Sequence, residues 1–201
     1  MVWDERYQAN PEAYGSEPSS FLVDMADCIP PGSDVVVPGD GYGRNGLWLA
    51  RRGHHVISVE LSQIGLQRIR EIADRDGLNV DTVYADLGEW EPPACDAVVL
   101  FSVHLLPSAR EHMHAVLWQS LRPGGIVILQ AFTPKQRSLG RISGGPRNPE
   151  MTYTLEQLKG DFAGADFQIM EEKTIEILEG TLHTGPAEIV RMVAIKPGEF
   201  V

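Results

Sequence analysis

The chain has little of what several function classes require. Its two cysteines, Cys28 and Cys95, in 201 residues are too few for a disulfide framework and lack metal-ligand spacing. Both are expected to be packed thiols in a reducing compartment. No apolar run reaches the length of a membrane span, and the start, Met-Val-Trp-Asp-Glu-Arg-Tyr, has neither the basic residues nor the apolar stretch of a leader. The expected setting is the cytoplasm, with no membrane partner. Basic residues are scarce: 17 Lys and Arg against 28 Asp and Glu leave a net charge of -11 and a pI near 4.9. That balance works against sequence-independent nucleic-acid binding, which needs clustered cations to displace counterions, and favours a small-molecule substrate. Gly-x-Ser-x-Gly and Gly-x-x-x-x-Gly-Lys-Ser/Thr are both missing, which removes nucleophile-elbow hydrolases and P-loop enzymes. His112 and His114 lie two apart on a predicted helix, and His54-His55 has no carboxylate partner by sequence, so no metal is expected.

What is present centres on residues 34–50. Val35, Val36 and Val37 form a β-branched run without polar alternation, as in a parallel strand covered on both faces. Pro38 stops it. Gly39, Gly41 and Gly43 follow at alternate positions, allowing a tight turn and close approach of a ligand to the backbone. A helix opening near Asn45 aims free N–H groups at that ligand. Glu60, ending a second strand over His55 to Val59, is spaced to accept hydrogen bonds from ribose hydroxyls. Turn, helix and acid together predict a nucleoside-cofactor site. Gly41-Tyr-Gly43-Arg-Asn-Gly46 with Glu60 also satisfies a dinucleotide fingerprint, so a nicotinamide-dependent oxidoreductase is one reading and a non-catalytic cofactor-binding protein another.

The hydrophobic fraction of 43% and the length predict one domain. Its parts are an N-terminal cap over 1–33, a core over 34–131, a loop over 132–150 and a C-terminal helix and hairpin over 151–201. A helix is expected from Ser62 to Asp76, ended by Gly77, then a strand over Val80 to Tyr84. This alternation is a doubly wound α/β half with its ligand at the carboxyl ends of the strands. Asp96 to Phe101 is a fourth strand. An amphipathic helix follows, ended by Arg122-Pro-Gly-Gly125 before a fifth strand over Ile126 to Ala131. Thr154 caps a short helix running to Gly160. Phe167 to Gly180 and Pro186 to Lys196 then read as two long strands joined by Leu182-His-Thr-Gly185, a close return that favours a hairpin.

Gly39-Asp40-Gly41-Tyr42-Gly43, Gly43-Arg-Asn-Gly-Leu-Trp-Leu-Ala50, Arg52-Gly-His-His-Val56, Ala85-Asp86-Leu87 and Leu121-Arg-Pro-Gly-Gly125 occur in that order. As a set they resemble the class I S-adenosylmethionine-dependent methyltransferases, in particular the small single-domain tellurite-resistance and thiopurine types. The resemblance implies a Rossmann-like, doubly wound, mostly parallel seven-stranded sheet with a C-terminal antiparallel hairpin, and S-adenosyl-L-methionine as cofactor. It places Gly39, Asp40, Gly41, Gly43, Arg44 and Asn45 at the cofactor turn and Glu60 with Leu61 at the ribose. Asp86 and Leu87 would meet the adenine, and Phe101 and Ser102 would line the edge near the methyl group. Asp86 also fits a plain turn cap. Val37-Pro38-Gly39 stands where the family more often has Asp-Leu-Gly. Phe101-Ser-Val-His104 replaces the Asn-Pro-Pro-Tyr type motif of amino-group methyltransferases, which favours a small S, O, Se, Te or N acceptor. In the branch resembled, an N-terminal segment forms a lid; here it would bring Trp3, Tyr7 and Tyr14.

Bases are hard to find. His104 and His183 are the candidates, since neutral imidazole takes a proton near pH 7, and each fits a positional role too. Residues 133–149 carry Lys135, Arg137, Arg141 and Arg147 and no acid, either as a solvated linker or as an acceptor-side lid. Arg141 and Arg147 would there attract an anionic substrate.

Overall fold

The computed structural model describes residues 2–10 and 13–198. The turn expected at Asn10-Pro11 involves Pro11, outside them. The chain forms α1 (Val2–Ala9), α2 (Ser20–Met25), β1 (Asp34–Pro38), α3 (Arg44–Arg51), β2 (His55–Glu60), α4 (Gln63–Asp76), β3 (Val80–Tyr84) and β4 (Cys95–Phe101). These are followed by α5 (Pro107–Ser120), β5 (Leu121–Phe132), α6 (Lys135–Ser138), α7 (Leu155–Asp161), β6 (Asp166–Glu179) and β7 (His183–Ile195). One seven-stranded sheet runs β3-β2-β1-β4-β5-β7-β6. Strands β1 to β5 run parallel to one another, and β7 is antiparallel to both β5 and β6.

The sheet's two faces carry separate cores because successive side chains point oppositely. Val98, Leu100 and Leu129 pack with α5 and α7 through Met113, Leu117 and Leu158, while Val35, Val37, Val99 and Phe101 pack with α2 and α3 through Phe21, Leu22 and Leu49. Local signals act where expected. Ser62 caps α4 by accepting from Gly65 N, Gly77 ends it at φ 63°, and Thr154 with Gln157 forms a capping box on α7.

Four elements differ from the sequence reading. α1 lacks the apolar periodicity that announces a helix: from Trp3 to Ala9 its one buried side chain is Tyr7. α2 forms from Ser20 inside the segment read as an N-terminal cap: Ser19 O accepts from Val23 N (3.1 Å), while Ser19 N donates to Asn45 Oδ1 (3.0 Å) and ties the helix start to α3. β5 begins at Leu121: it pairs with Cys95, and the register shifts to Ala97 opposite Ile126, so Arg122 to Gly125 form an irregularity inside a strand. Lastly, His183 opens β7 rather than sitting in the connection.

Candidate active site

At the carboxyl end of the sheet, β1 delivers Gly39, Gly41 and Gly43, all at positive φ. Gly39 N donates to Val59 O (2.7 Å) and Gly43 N to Asp40 O (2.9 Å), folding the turn back on β2. Two buried carboxylates hold it there. Asp40 accepts from Ser58 Oγ (2.6 Å) and Gly46 N (3.2 Å). Glu60 accepts from Gly41 N (2.9 Å), Leu61 N (2.8 Å) and Ser62 N (2.9 Å). Burial pushes the Asp40 carboxyl up to about 7, more than the Ser58 and Gly46 hydrogen bonds lower it. Burial raises Glu60 too, against three backbone donors. The Asp40 carboxylate is thus occupied with bracing the start of α3. Asn45 does similar work on Ser19, and Glu60 retains lone-pair capacity beside the turn.

Asp86 is exposed beyond β3, its Oδ1 accepting from Gly88 N (2.9 Å). It makes the turn cap and still presents its other oxygen outward. Leu87 and Val103 flank Gly39, where a Cβ would come within 2.9 Å of Val103. At β4, Phe101 turns its ring into the core against Phe21, centroids 6.2 Å apart, because strand alternation puts it on the α2 face. Only its backbone stays at the edge. Ser102 follows at φ 57°, the one non-glycine with positive φ among the described residues, a strained conformation of the kind that clusters at functional sites.

The N-terminal segment lies across the turn. Asp4 accepts from Ser62 Oγ (2.6 Å) at the start of α4. Tyr7 stacks on Tyr42 at 4.4 Å, and its hydroxyl occupies the space where a Gly41 Cβ would be, 2.7 Å from that position. Trp3 lies 6.1 Å from Tyr7. The segment then crosses to the hairpin. Asn10 Nδ2 donates to Thr181 Oγ1 and Leu182 N to Ala13 O, and Tyr14 meets His183 edge-on at 4.8 Å.

That hairpin forms the other wall. β7 pairs with the last residue of β5 at Ile189, so His183 to Glu188 run past the end of the parallel sheet. His183 sits among Tyr14, Phe132 and Gly144. The two histidines differ sharply. His104 Nδ1 lies 2.8 Å from Met151 O, and Phe132 N donates to Nε2 at 3.4 Å. Both ring nitrogens are engaged, and desolvation draws its pKa down to about 4. It is a neutral positional residue, with no free nitrogen. His183 Nε2 makes no hydrogen bond to a described residue, and Nδ1 is buried without one. The loop arginines are largely committed: Arg141 binds Glu188 through Nε and Nη2 (3.2 and 3.0 Å), and Arg137 donates to three backbone carbonyls. Arg147 is exposed.

Sequence reading passed over Ser58, Gly65 and Glu179. A Cβ on Gly65 would lie 2.4 Å from Gly41 O, so α4 needs a glycine to approach the cofactor turn. A glycine inside a helical pattern is the signal that points to such a contact. Among the described residues there is no cluster of three or more His, Cys, Asp or Glu suited to a metal, and no helix is long and apolar enough to cross a membrane.

A doubly wound parallel sheet ending in an antiparallel hairpin, with a braced glycine turn and two acids at its strand ends, defines a Rossmann-like methyltransferase fold. Residues 35–125 match the methyltransferase-domain family Methyltransf_25. That match, over somewhat under half of the chain, supports a class I S-adenosylmethionine-dependent methyltransferase using S-adenosyl-L-methionine. It is 24% identical over 185 residues to the tRNA 5-carboxymethoxyuridine methyltransferase of Escherichia coli, covering 79% of this chain and 68% of that protein. It is 32% identical over 117 residues to the carboxy-S-adenosyl-L-methionine synthase of Shewanella loihica, covering 54% and 48%. Among solved structures it resembles TehB of Haemophilus influenzae, with a TM-score of 0.73, 21% identity, and 87% and 61% of the two chains covered. The chain therefore spans about half of the synthase and under two thirds of TehB.

Proposed function

We propose that the protein transfers a methyl group from S-adenosyl-L-methionine to a small-molecule nucleophile, a thiol, metalloid or similar group. The observation that carries this reading is the group of residues around His183. Among the described residues His183 Nε2 has no hydrogen-bond partner, with Tyr14, Phe132 and Gly144 around the ring, and the N-terminal segment bridges the hairpin wall to the glycine turn. The chain's net charge of -11 and the free Cys28 and Cys95 fit a small acceptor in a reducing cytoplasm better than a polyanion.

Bound S-adenosylmethionine supplies a sulfonium methyl group that already carries its leaving group. The residues suit it: Gly41 and Gly43 leave backbone open, Glu60 has spare acceptor capacity for ribose hydroxyls, Asp86 presents an oxygen outward for the adenine amino group, and Leu87 offers an apolar face. The protein's main task is to align the acceptor, which can supply ~7–11 kcal/mol. Tyr7 and Trp3 keep water from the reacting atoms, and Ser102 turns the chain out of β4 beside them. His183 Nε2 takes the acceptor's proton, a contribution of roughly 10²–10⁴-fold, while neutral His104 fixes the loop from Met151 to Tyr153 against β5.

The test is calorimetric titration with S-adenosylmethionine, S-adenosylhomocysteine and NAD(H), followed by S-adenosylhomocysteine release with thiols, tellurite, selenite, small amines and bulk tRNA. Binding of the adenosyl-sulfur ligands and turnover with a small acceptor is the expected outcome. Turnover with tRNA alone would overturn the small-acceptor reading, and NAD(H) binding alone would overturn the cofactor-site assignment.

A further inference from the structure

The base just described lacks a sequence-adjacent partner, yet the structure brings one to it. Glu179, the last residue of β6, pairs across the hairpin tip with His183, the first of β7. Its Oε2 lies 3.7 Å from His183 Nδ1 and 2.7 Å from Arg44 Nη2, with the carboxylate side chain 14% exposed and the guanidinium 11%. His183 is 7% exposed, and its Nδ1 is buried without a hydrogen bond. Every other group facing the ring is unsuited to Nδ1. Tyr14 and Phe132 present aromatic faces or edges, Gly144 packs beside Cδ2 and Nε2, and both nitrogens of His104 are occupied.

We propose that Glu179 is a positioning residue: anchored by Arg44 from the first turn of the cofactor helix, its carboxylate holds His183 in the Nδ1–H tautomer, so that Nε2 carries the free lone pair. This deepens the base assignment above and rests on it. At 3.7 Å the contact is longer than a hydrogen bond, and a small movement of the hairpin tip closes it into one that satisfies the buried Nδ1. Burial raises the Glu179 carboxyl, but His183 and Arg44 outweigh it and hold it down at about 2, so an anion is present throughout the working range. During transfer the acceptor's lone pair forms the bond to the methyl carbon and the carbon–sulfur pair stays with sulfur. The acceptor's proton moves to His183 Nε2, and the resulting imidazolium faces the Glu179 carboxylate. A base oriented by a buried acid is a general solution for imidazole catalysis. Here the acid also ties the base to α3, so cofactor turn and acceptor wall share one ion pair.

The deciding experiment reads the tautomer without turnover. The full chain, labelled with ¹⁵N-histidine, is examined by long-range ¹H–¹⁵N correlation at a pH where His183 is neutral, with the signal assigned from His183→Gln. The expected result is protonated Nδ1 in the wild type and reversion in Glu179→Ala to the Nε2–H form that free side chains favour. An Nε2–H wild type, or a tautomer unchanged in folded Glu179→Ala, overturns the proposal. If that variant does not fold, the wild-type tautomer decides, because among the described residues Glu179 is the acid that faces Nδ1. With an acceptor in hand, Glu179→Ala should lower kcat about 10- to 100-fold, part of the general-base contribution, with KM for S-adenosylmethionine within about twofold. A merely structural ion pair would lower thermal stability and leave the tautomer alone. Absence of turnover with every acceptor would count against the base assignment and leave the tautomer result standing.

Discussion

The glycine turn and the proposed acceptor side of this molecule are held together over very different sequence distances. At the glycine turn, the hydrogen bonds from Ser58 to Asp40 and from Gly41 to Glu60 join residues 18 and 19 apart. At the acceptor wall, Arg44 reaches Glu179 across 135 residues and Asn10 reaches Thr181 across 171. The first arrangement is one βαβ unit and leaves a motif in the sequence. The second exists only because the antiparallel hairpin overhangs the sheet and the N-terminal segment folds back to meet it.

The sharpest way to break that comparison is to substitute the two histidines. His183→Asn should lose roughly 10²–10⁴-fold in kcat if Nε2 takes the proton, with thermal stability nearly kept. His104→Asn should do the reverse. It leaves Met151 O or Phe132 N without a buried partner at about 1–3 kcal/mol, seen in urea unfolding, while kcat per folded molecule changes little. Equal losses of kcat from both would erase the distinction between base and brace.

The two sides should also respond oppositely to pH. Asp40 is raised to about 7 from 3.8, so between pH 4 and 7 the folded state holds a proton that the unfolded state has lost. Its contribution therefore weakens stability as pH rises through that window, by at most about 4 kcal/mol. His104 is lowered to about 4 from 6.5; below pH 6.5 the unfolded state gains a proton that the folded state refuses, so its contribution weakens stability as pH falls, by at most about 3 kcal/mol. Over pH 4–6.5 these slopes offset one another. Asp40→Asn, whose amide can serve Gly46 and Ser58, should therefore make the protein more acid-labile relative to neutral pH than the wild type. His104→Gln should make it less so. Urea midpoints at half-unit pH steps would show the slopes separating, and parallel curves for all three proteins would refute both assignments.

Gly65→Ala tests how tightly the cofactor side is built. A Cβ 2.4 Å from Gly41 O meets backbone, not a flexible side chain, so overpacking should cost roughly 1–3 kcal/mol. Part of that should appear as weaker S-adenosylmethionine binding in calorimetry. Unchanged affinity and stability would mean that the approach of α4 to the turn is not required.

The first strand, the glycine turn and the helix ends were legible because each depends on a local pattern: Val35 to Val37 for β1, Gly39 to Gly43 for the turn, Gly77 for α4, Thr154 with Gln157 for α7. α1 was not, since it docks through Tyr7 and Asp4 on residues some 35 to 60 positions away without an apolar stripe. Phe101 was placed on its strand, but the turn of its ring into the core against Phe21 was not legible, because a continuous apolar run hides which face each residue takes. Glu179 carried no signal of its own; the register opposite His183 is what gives the two a meeting point.

The smallest effect concerns the basic loop, whose net positive charge suggested an anionic substrate. Most of that charge is spent inside the protein. Arg141 neutralises Glu188, Arg137 satisfies backbone carbonyls, and Lys135 pairs with Glu172 at 2.8 Å. Arg147 alone is exposed with its charge open to solvent, where a surface substitution changes stability by less than about 0.5 kcal/mol. Arg147→Ala should therefore leave urea unfolding unchanged and separate two kinds of acceptor. With a neutral thiol, KM should stay within about twofold; with an oxyanion such as tellurite, KM should rise, and the rise should shrink as salt screens the charge. A KM that ignores Arg147 for both would leave recognition to the aromatic wall around His183, where the loop's charge has no part.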